Sequence, residues 1–558
     1  MDTDKRLVLD ELRLYFAHSQ SQTRNTQQIL LDGKADLETC NLELAKMRKA
    51  LVPTPLFLQL REAREQIAKY LDMCSSQRSP IRILPYELLS RILVLCCADD
   101  IAVYAPGWKP SKPWRQPHWQ AVQVSSVCLG WRDVAYDSPQ LWTAFDVHFS
   151  SRNFAADPIV ARLKRSKSLP LSIRFKGTIR NGNTCWQDVL HLIMEESSRW
   201  QYVHFVVSVR DEIKTRFRDI LRTAQSFPIV ESLCITARSP LFSRVFHRLP
   251  LLRSLTLEGC DSLLELDDET LSGIDNMSVK GIPYLSLAKY LKDHGSAFTN
   301  LASLSIKHLL LDHDLEFSPL EMPALPSLNF LSIMEQQECD MDRVLESLSQ
   351  LDLSHLMSLQ LSLLKEYGNP DLQLYACDFL VSTRATSVKE LHLQGVDYCT
   401  WILHHLPELT FLVLFENDYY ENLERDGRFN WEYVIDILRV PFHNEEIGEM
   451  DALLLKLEHL EIRVCMGSDF DLRAVADMVE SRRSSCNWSY SGNADMVESR
   501  RSSCNWSYSG NDDYNGNTLK DIKLRLPKEE KRYHKNSSGY HLLMKQKALG
   551  LGVNFVWY

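Results

Sequence analysis

One short pattern recurs along most of this 558-residue chain and limits what it can fold into. It is an apolar residue, often Leu-Pro, followed by L-x-x-L-x-L or a near variant. It reads FPIVESLCI at 227–235, LPLLRSLTL at 249–257, FTNLASLSI at 298–306, LPSLNFLSI at 325–333 and LSHLMSLQL at 353–361. Further copies are TSVKELHL at 386–393, LPELTFLVL at 406–414, KLEHLEI at 456–462 and NTLKDIKL at 517–524, with weaker ones at 145–147, 171–173, 203–205 and 277–279. The step between copies is mostly 21–32 residues, with a few longer gaps. Alternating L-x-L places both leucines on one side of a short strand. No copy can bury them alone, so neighbouring copies must stack.

That period and leucine pattern are those of irregular leucine-rich repeats, expected here over 143–558 as a solenoid of short strands with a return path behind them. Residues 341–351 and 431–438 suit helices of that return path. The positions between the leucines, Cys234, Thr256, Ser278, Ser305, Ser332, Gln360, His392, Val413, Glu461 and Lys523, are expected on the open, concave face. They are small and polar at first, then larger and in places charged. Residues 476–493, ADMVESRRSSCNWSYSGN, repeat without change at 494–511. The duplicated block lacks the leucines of a repeat. Residues 472–483 can close a return helix, which leaves the second copy no place in the stack, and part of 486–516 is expected to form an exposed loop.

Upstream lie two amphipathic stretches. In LPYELLSRIL at 84–93, Pro85 suits a first helical turn and Glu87 favours the helix N-terminus. Leu88, Ile92 and Leu95 follow at helical spacing, widened by Leu89, Leu93 and Cys96. In VSSVCLGWRDVAYDSPQLW at 124–142, Ala121, Val124, Val127, Cys128 and Trp131 mark one face, Ser138-Pro139 ends it, and Leu141-Trp142 follow as an apolar anchor.

The ordered motifs L-P-x-E-L-L-x-x-I-L, V-x-x-V-C-x-x-W-R-x-x-A and S-P-x-L-W resemble the F-box, specifically that of fungal F-box/leucine-rich-repeat proteins. The resemblance is strong over 80–142 and extends loosely to the end. It departs from the family in an insertion at 99–120, where four prolines and three tryptophans suggest an irregular loop rather than a helix. It implies an F-box-like domain at 78–142 that binds a Skp-type adaptor and, through it, a cullin scaffold, while the repeats capture a protein target. The residues it nominates for adaptor contact or its support are Leu84, Pro85, Leu88, Ile92, Val124, Val127, Trp131, Leu141 and Trp142. Leu84, Pro85 and Leu88 would touch the partner directly, and Trp131 would pack the module's core. The expected fold class is therefore α/β: an N-terminal helical segment and all-α F-box-like module, then an irregular leucine-rich-repeat solenoid.

The N-terminal helical segment, 1–75, carries Leu30, Leu37, Leu44 and Leu51 seven apart, with Cys40 and Met47 between them and Gly33 interrupting. Pro53 and Pro55 stop it, and 56–71 restarts a helix with Leu60, Ala63, Ile67 and Leu71 on one face. So few heptads are marginal alone, which favours a hairpin folded on its own chain over a coiled-coil dimer. Residues 1–28 are polar and expected to be loosely ordered.

Composition narrows the function classes. A net charge of −10, with no basic stripe, argues against nucleic-acid binding. No secretory signal or membrane-length apolar run stands out, and the fourteen cysteines show no C-x-x-C pair, so a reducing, cytoplasmic or nuclear setting is expected. No phosphate-binding glycine loop, nucleophile elbow or zinc-helix motif occurs, so no catalytic, cofactor or metal residue is nominated and the chain is not expected to be an enzyme. The alternative to a ligase subunit is an interaction scaffold whose F-box-like helices cap the solenoid.

Overall fold

The computed structural model describes residues 20–47, 55–77, 81, 84–97, 118–149, 156–179 and 185–224. With short gaps it further describes 226–310, 325–334, 344–362, 371–394, 400–416, 431–465, 470–483, 519–528 and 531–557. The fold is mixed α/β. The chain divides into two compact units, Met1–Ile213 with Asp219–Gln225, and Lys214–Arg218 with Ser226–Tyr558.

The first unit begins with two long helices, α1 (Gln20–Met47) and α2 (Pro55–Gln77), packed on each other. Leu30 and Leu71 form their buried centre, with Leu37, Ile67 and Tyr70 against it. Farther along, Arg64 Nε donates to Asn41 Oδ1 at 2.7 Å, so the pair is antiparallel. Two expectations are corrected here. Helix α1 already starts at Gln20, inside the stretch read as loosely ordered. Gly33 does not interrupt the helix but admits its neighbour: a Cβ there would lie 2.6 Å from Leu71 Cδ2. Leu51 lies outside the described residues.

Three parallel strands close the first unit: β1 (Ala144–His148), β2 (Leu171–Ile179) and β3 (Trp200–Val209). Phe145 pairs with Ile173, which pairs with Val203, so the weak copies of the pattern share one register with full strands. Phe175 and Phe205 stack at 4.5 Å on the buried side. The helix Cys185–Glu195 returns between β2 and β3 and buries Trp186, Val189, Leu190, Ile193 and Met194.

In the second unit eight short strands follow in chain order: β4 (Ser232–Thr236), β5 (Ser254–Glu258), β6 (Asn276–Lys280), β7 (Ser303–Lys307), β8 (Phe330–Met334), β9 (Ser358–Ser362), β10 (Glu390–Gln394) and β11 (Phe411–Phe415). After a small antiparallel hairpin of β12 (Phe442–Asn444) and β13 (Glu449–Asp451) come β14 (His459–Arg463), β15 (Asp521–Leu526) and β16 (Gly552–Trp557). From β4 to β16, the hairpin apart, each strand pairs in parallel with the next. Met277–Val279, a weak copy by sequence, sits in β6 in full register.

The pattern explains its own geometry. Ahead of a strand, the leucine pairs Leu249/Leu252, Leu325/Leu328 and Leu406/Leu409 each close a turn in which the second leucine's N–H donates to the first one's carbonyl at 3.0–3.2 Å. All six side chains are buried. The next two apolar residues, such as Leu255 and Leu257, are buried from the strand itself. Each leucine fully removed from water contributes about 2 kcal/mol, so one copy bearing four of them becomes stable only beside another. Behind β5 and β6 the chain turns through Gly259 and Gly281 with φ of 63° and 61°, a left-handed conformation that favours glycine.

Return segments vary. The expected helix at 431–438 is Trp431–Ile437, and that at 472–483 is Leu472–Arg483. Of the helix expected at 341–351, residues 341–343 and 346–347 lie outside the described residues while 344, 345 and 348 are helical; the loop expected at 486–516 lies wholly outside them. Gly539 brings the helix Ser538–Ala548 against the backbone of Leu472–Arg483, where a Cβ would run into the backbone of Leu472 and Arg473. Among the described residues, no helix is long and apolar enough to cross a membrane, and no cluster of His, Cys, Asp or Glu could hold a metal ion.

Candidate functional site

The nominated residues lie in a small helical module of the first unit: α3 (Tyr86–Cys96), α4 (His118–Ser126), α5 (Leu129–Tyr136) and a 3-10 turn at Pro139–Trp142. Leu89, Leu93, Cys97, Ala121, Val134, Ala135, Leu141 and Trp142 are its buried centre, with Ile81, Val94, Val124 and Trp131 packed around it. The Trp142 indole N–H donates to Ala135 O at 2.7 Å. Ser138, itself buried, donates to Val134 O at 2.7 Å and meets Ser90 Oγ at 2.7 Å, tying the end of α5 to α3.

Several local expectations change. Pro85 stands at the N-cap of α3, one residue before its first turn, and its carbonyl accepts the Leu89 N–H at 3.0 Å. The core stripe of α3 is Leu89, Leu93 and the following Cys97, while Cys96 is exposed. The single face drawn through Val124, Val127, Cys128 and Trp131 is broken: α4 ends at Ser126, and Cys128 caps α5 by accepting the Trp131 N–H at 3.4 Å. Helix α4 begins at His118, inside the stretch read as an irregular insertion, whose residues 99–117 lie outside the described ones.

The nine nominated residues separate accordingly. Leu141 and Trp142 are only 5% and 3% exposed, so they support the module rather than face a partner. Val124 and Trp131 pack on the core from its margin. Leu88 is 50% exposed and Val127 60%, with Pro85 also exposed and Leu84 and Ile92 half-buried. Leu95, which sequence reasoning placed in the stripe without nominating it, is 65% exposed. Leu88, Ile92 and Leu95 follow one another by four and three residues and thus share one face of α3. Tyr86 and Leu129 add exposed apolar surface to the module. Helix α3 is therefore apolar on two faces, one spent on its own core and one presenting leucine to water.

A second candidate surface is the open face of the second unit's sheet. The residues between the buried leucines form one aligned row, Cys234, Thr256, Ser278, Ser305, Ser332, Gln360, His392, Val413, Glu461 and Lys523, each paired with the next. Most are half-buried, as expected of an open face, but Val413, Ser332 and Glu461 are buried. Glu461 accepts from Arg463 Nε at 2.6 Å and Lys523 Nζ at 3.0 Å, and Arg525 Nε lies 2.6 Å from it as an ion pair. Burial would raise this carboxyl's pKa, but the Lys523 and Arg463 bonds and the Arg463 and Arg525 charges outweigh it and hold it below the ordinary range. Sequence reasoning missed Arg463 and Arg525 by stopping at the middle of each strand. The alternation in HLEIR and DIKLRL already places them on the same face as Glu461 and Lys523.

No protein-family model matches the chain, and no curated protein matches it significantly.

Proposed function

We propose that this chain is a substrate-receptor subunit of an SCF-type ubiquitin ligase. In this reading the helical module is an F-box-like domain that docks a Skp-type adaptor, and the strand ladder is an irregular leucine-rich-repeat solenoid that holds a protein target. The chain performs no chemistry; it raises the target's effective concentration beside the conjugating enzyme. The observation that carries the reading is the second apolar face of α3, where Leu88 and Leu95 stay exposed although the module's core is already filled. A helix apolar on both sides ordinarily has both covered. The F-box-like order of residues names the cover.

The test is co-expression of the full chain with a Skp-type adaptor. Wild type should retain the adaptor through affinity purification. Leu88→Glu/Leu95→Glu, and separately Leu84→Ala/Pro85→Ala, should weaken it at least tenfold, about 1.4 kcal/mol. A folded wild-type chain that retains no adaptor would refute the ligase reading.

One observation favours the alternative, a scaffold in which the helices cap the repeats. Arg165, in the helix Asp157–Arg165, lies 3.7 Å from the ring of Tyr136 and 4.6 Å from that of Trp142, binding the module to the elements after it. Retention of the adaptor decides between the two.

A further inference from the structure

The open face of the second unit changes character along the ladder. From β4 to β7 its outward residues are mostly serine, threonine and asparagine, with Glu258 bonded to Lys280. At β10 to β15 they become aromatic and charged. Glu390 meets His392 at 2.7 Å, His459 meets Asp521 at 3.0 Å and Lys520 meets Glu458 at 2.7 Å, so the strand starts are locally paired. The strand ends are not balanced. Phe415, Arg463 and Arg525 stand in successive strands in register, with Lys523 beside them. Three cations share the one carboxylate of Glu461, within a chain whose net charge is −10.

Both guanidiniums contact Glu461 through Nε, the inner nitrogen, at 2.6 Å. Among the described residues, Arg525 has no second side-chain partner, and Arg463 has only the ring of Phe415, 3.9 Å from its central carbon. Glu416, which follows Phe415, accepts instead from the Trp431 indole and the Cys465 amide, at 3.1 and 2.8 Å. Neighbouring strands are about 4.8 Å apart, so Arg463 and Arg525 form a closely spaced pair of forks, the geometry that suits carboxylates. Glu461 fixes both side chains in advance, which lowers the entropy lost when a ligand binds. Phe411 and Phe415 add a half-buried apolar shelf on the same face.

We propose that the strand-end surface of β11, β14 and β15 binds an acidic, extended polypeptide segment, its carboxylates on Arg463, Arg525 and Lys523 and an aromatic or long aliphatic side chain on Phe411 and Phe415. Three cations are too few for a nucleic-acid track, which needs a longer run of phosphate contacts. The surface shares no residue with α3 and rests on the ligase reading only for calling its occupant a target. Measured without adaptor, its failure leaves adaptor docking untouched, and the reverse holds too.

The experiment is fluorescence anisotropy on the full chain with a labelled peptide of alternating Glu and Ser carrying one Phe. Saturable binding is expected, at least tenfold tighter than for the Gln/Ser counterpart and weakening as salt is raised. Lys523→Gln/Arg525→Gln should reduce affinity at least tenfold. Because those residues also hold Glu461, a Glu461→Gln/Lys523→Gln/Arg525→Gln chain, which leaves only the part-exposed Arg463 without its carboxylate, should fold and lose binding equally. Equal binding of the Gln/Ser peptide, undiminished binding by the folded triple variant, or equal binding of single-stranded RNA would overturn the proposal.

Discussion

Asp146 carries a charge into the first unit's sheet and is held there by two neighbours. Arg174 forks onto it, Nε to Oδ1 at 2.9 Å and Nη2 to Oδ2 at 2.7 Å, and Lys176 Nζ reaches Oδ2 at 2.9 Å. The side chains of Asp146 and Arg174 are 0% and 1% exposed. Burial pushes the carboxyl's pKa up, but the Arg174 and Lys176 bonds and charges bring it down to about 2 from an ordinary 3.8. Since the folded value lies below the unfolded one, the pair's contribution is complete above the ordinary carboxylate range. It is lost as pH falls from about 5 toward 2, and amounts to roughly 2 kcal/mol. Urea unfolding at the two pH values should show that loss in wild type and a flatter profile in Asp146→Asn. The same variant should be about 3–5 kcal/mol less stable at neutral pH, because it strands a buried guanidinium. Asp146→Leu/Arg174→Met should lose less than Asp146→Asn, and an equal or larger loss would contradict this account. None of this was visible in sequence: F-D-V at 145–147 looks like a weak copy of the leucine pattern, Arg174 falls just past the copy at 171–173, and nothing local says that Asp146 and Arg174 are covered.

Among the elements, those with strong periodicity were legible and those bounded by tertiary contact were not. The L-x-L strands follow from alternation alone, and the helices Leu472–Arg483 and Trp431–Ile437 from apolar spacing. The face of α3 that carries Leu88, Ile92 and Leu95 was also readable, but not which of its two apolar faces the module would bury. That choice depends on where Val134, Leu141 and Trp142 arrive from later in the chain. The heptad of α1 was ambiguous for the same reason, since Leu30, Leu37 and Leu44 would serve a second copy or a second helix equally. Here Leu71 and Ile67 of the same chain cover Leu30 and Leu37. Cysteines introduced at the exposed pair Asn41 and Arg64, whose side chains touch at 2.7 Å, should therefore be joined within one chain by a short bis-maleimide. Peptide mapping of the monomer band reads this directly. Crosslinks found only between chains would restore the coiled-coil dimer.

At the scale of the whole molecule, the tandem block tests how tightly sequence length is tied to the ladder. The first copy is partly structural: Ala476, Met478 and Val479 are buried in the helix Leu472–Arg483. Arg482, also buried, donates to the carbonyls of Leu438 and Leu454. The next described strand, β15, pairs directly with β14 in register from His459 with Asp521 onward, so no strand is interposed between them. The ladder thus has no position that 494–511 is needed to fill. Because the two copies are identical, removing either leaves the same sequence, and the remaining ADMVESRR can still complete the helix. The shortened connection to Leu519 keeps enough residues to span several tens of ångströms at about 3.3 Å each. Deleting 494–511 should therefore move the melting temperature by less than about 2 °C and leave adaptor retention and acidic-peptide binding as they were. Arg482→Ala in the shortened chain serves as the counterpart. It leaves two buried carbonyls unpaired and should lower stability by about 2–4 kcal/mol. A deletion as damaging as that substitution would mean that the second copy holds part of the fold.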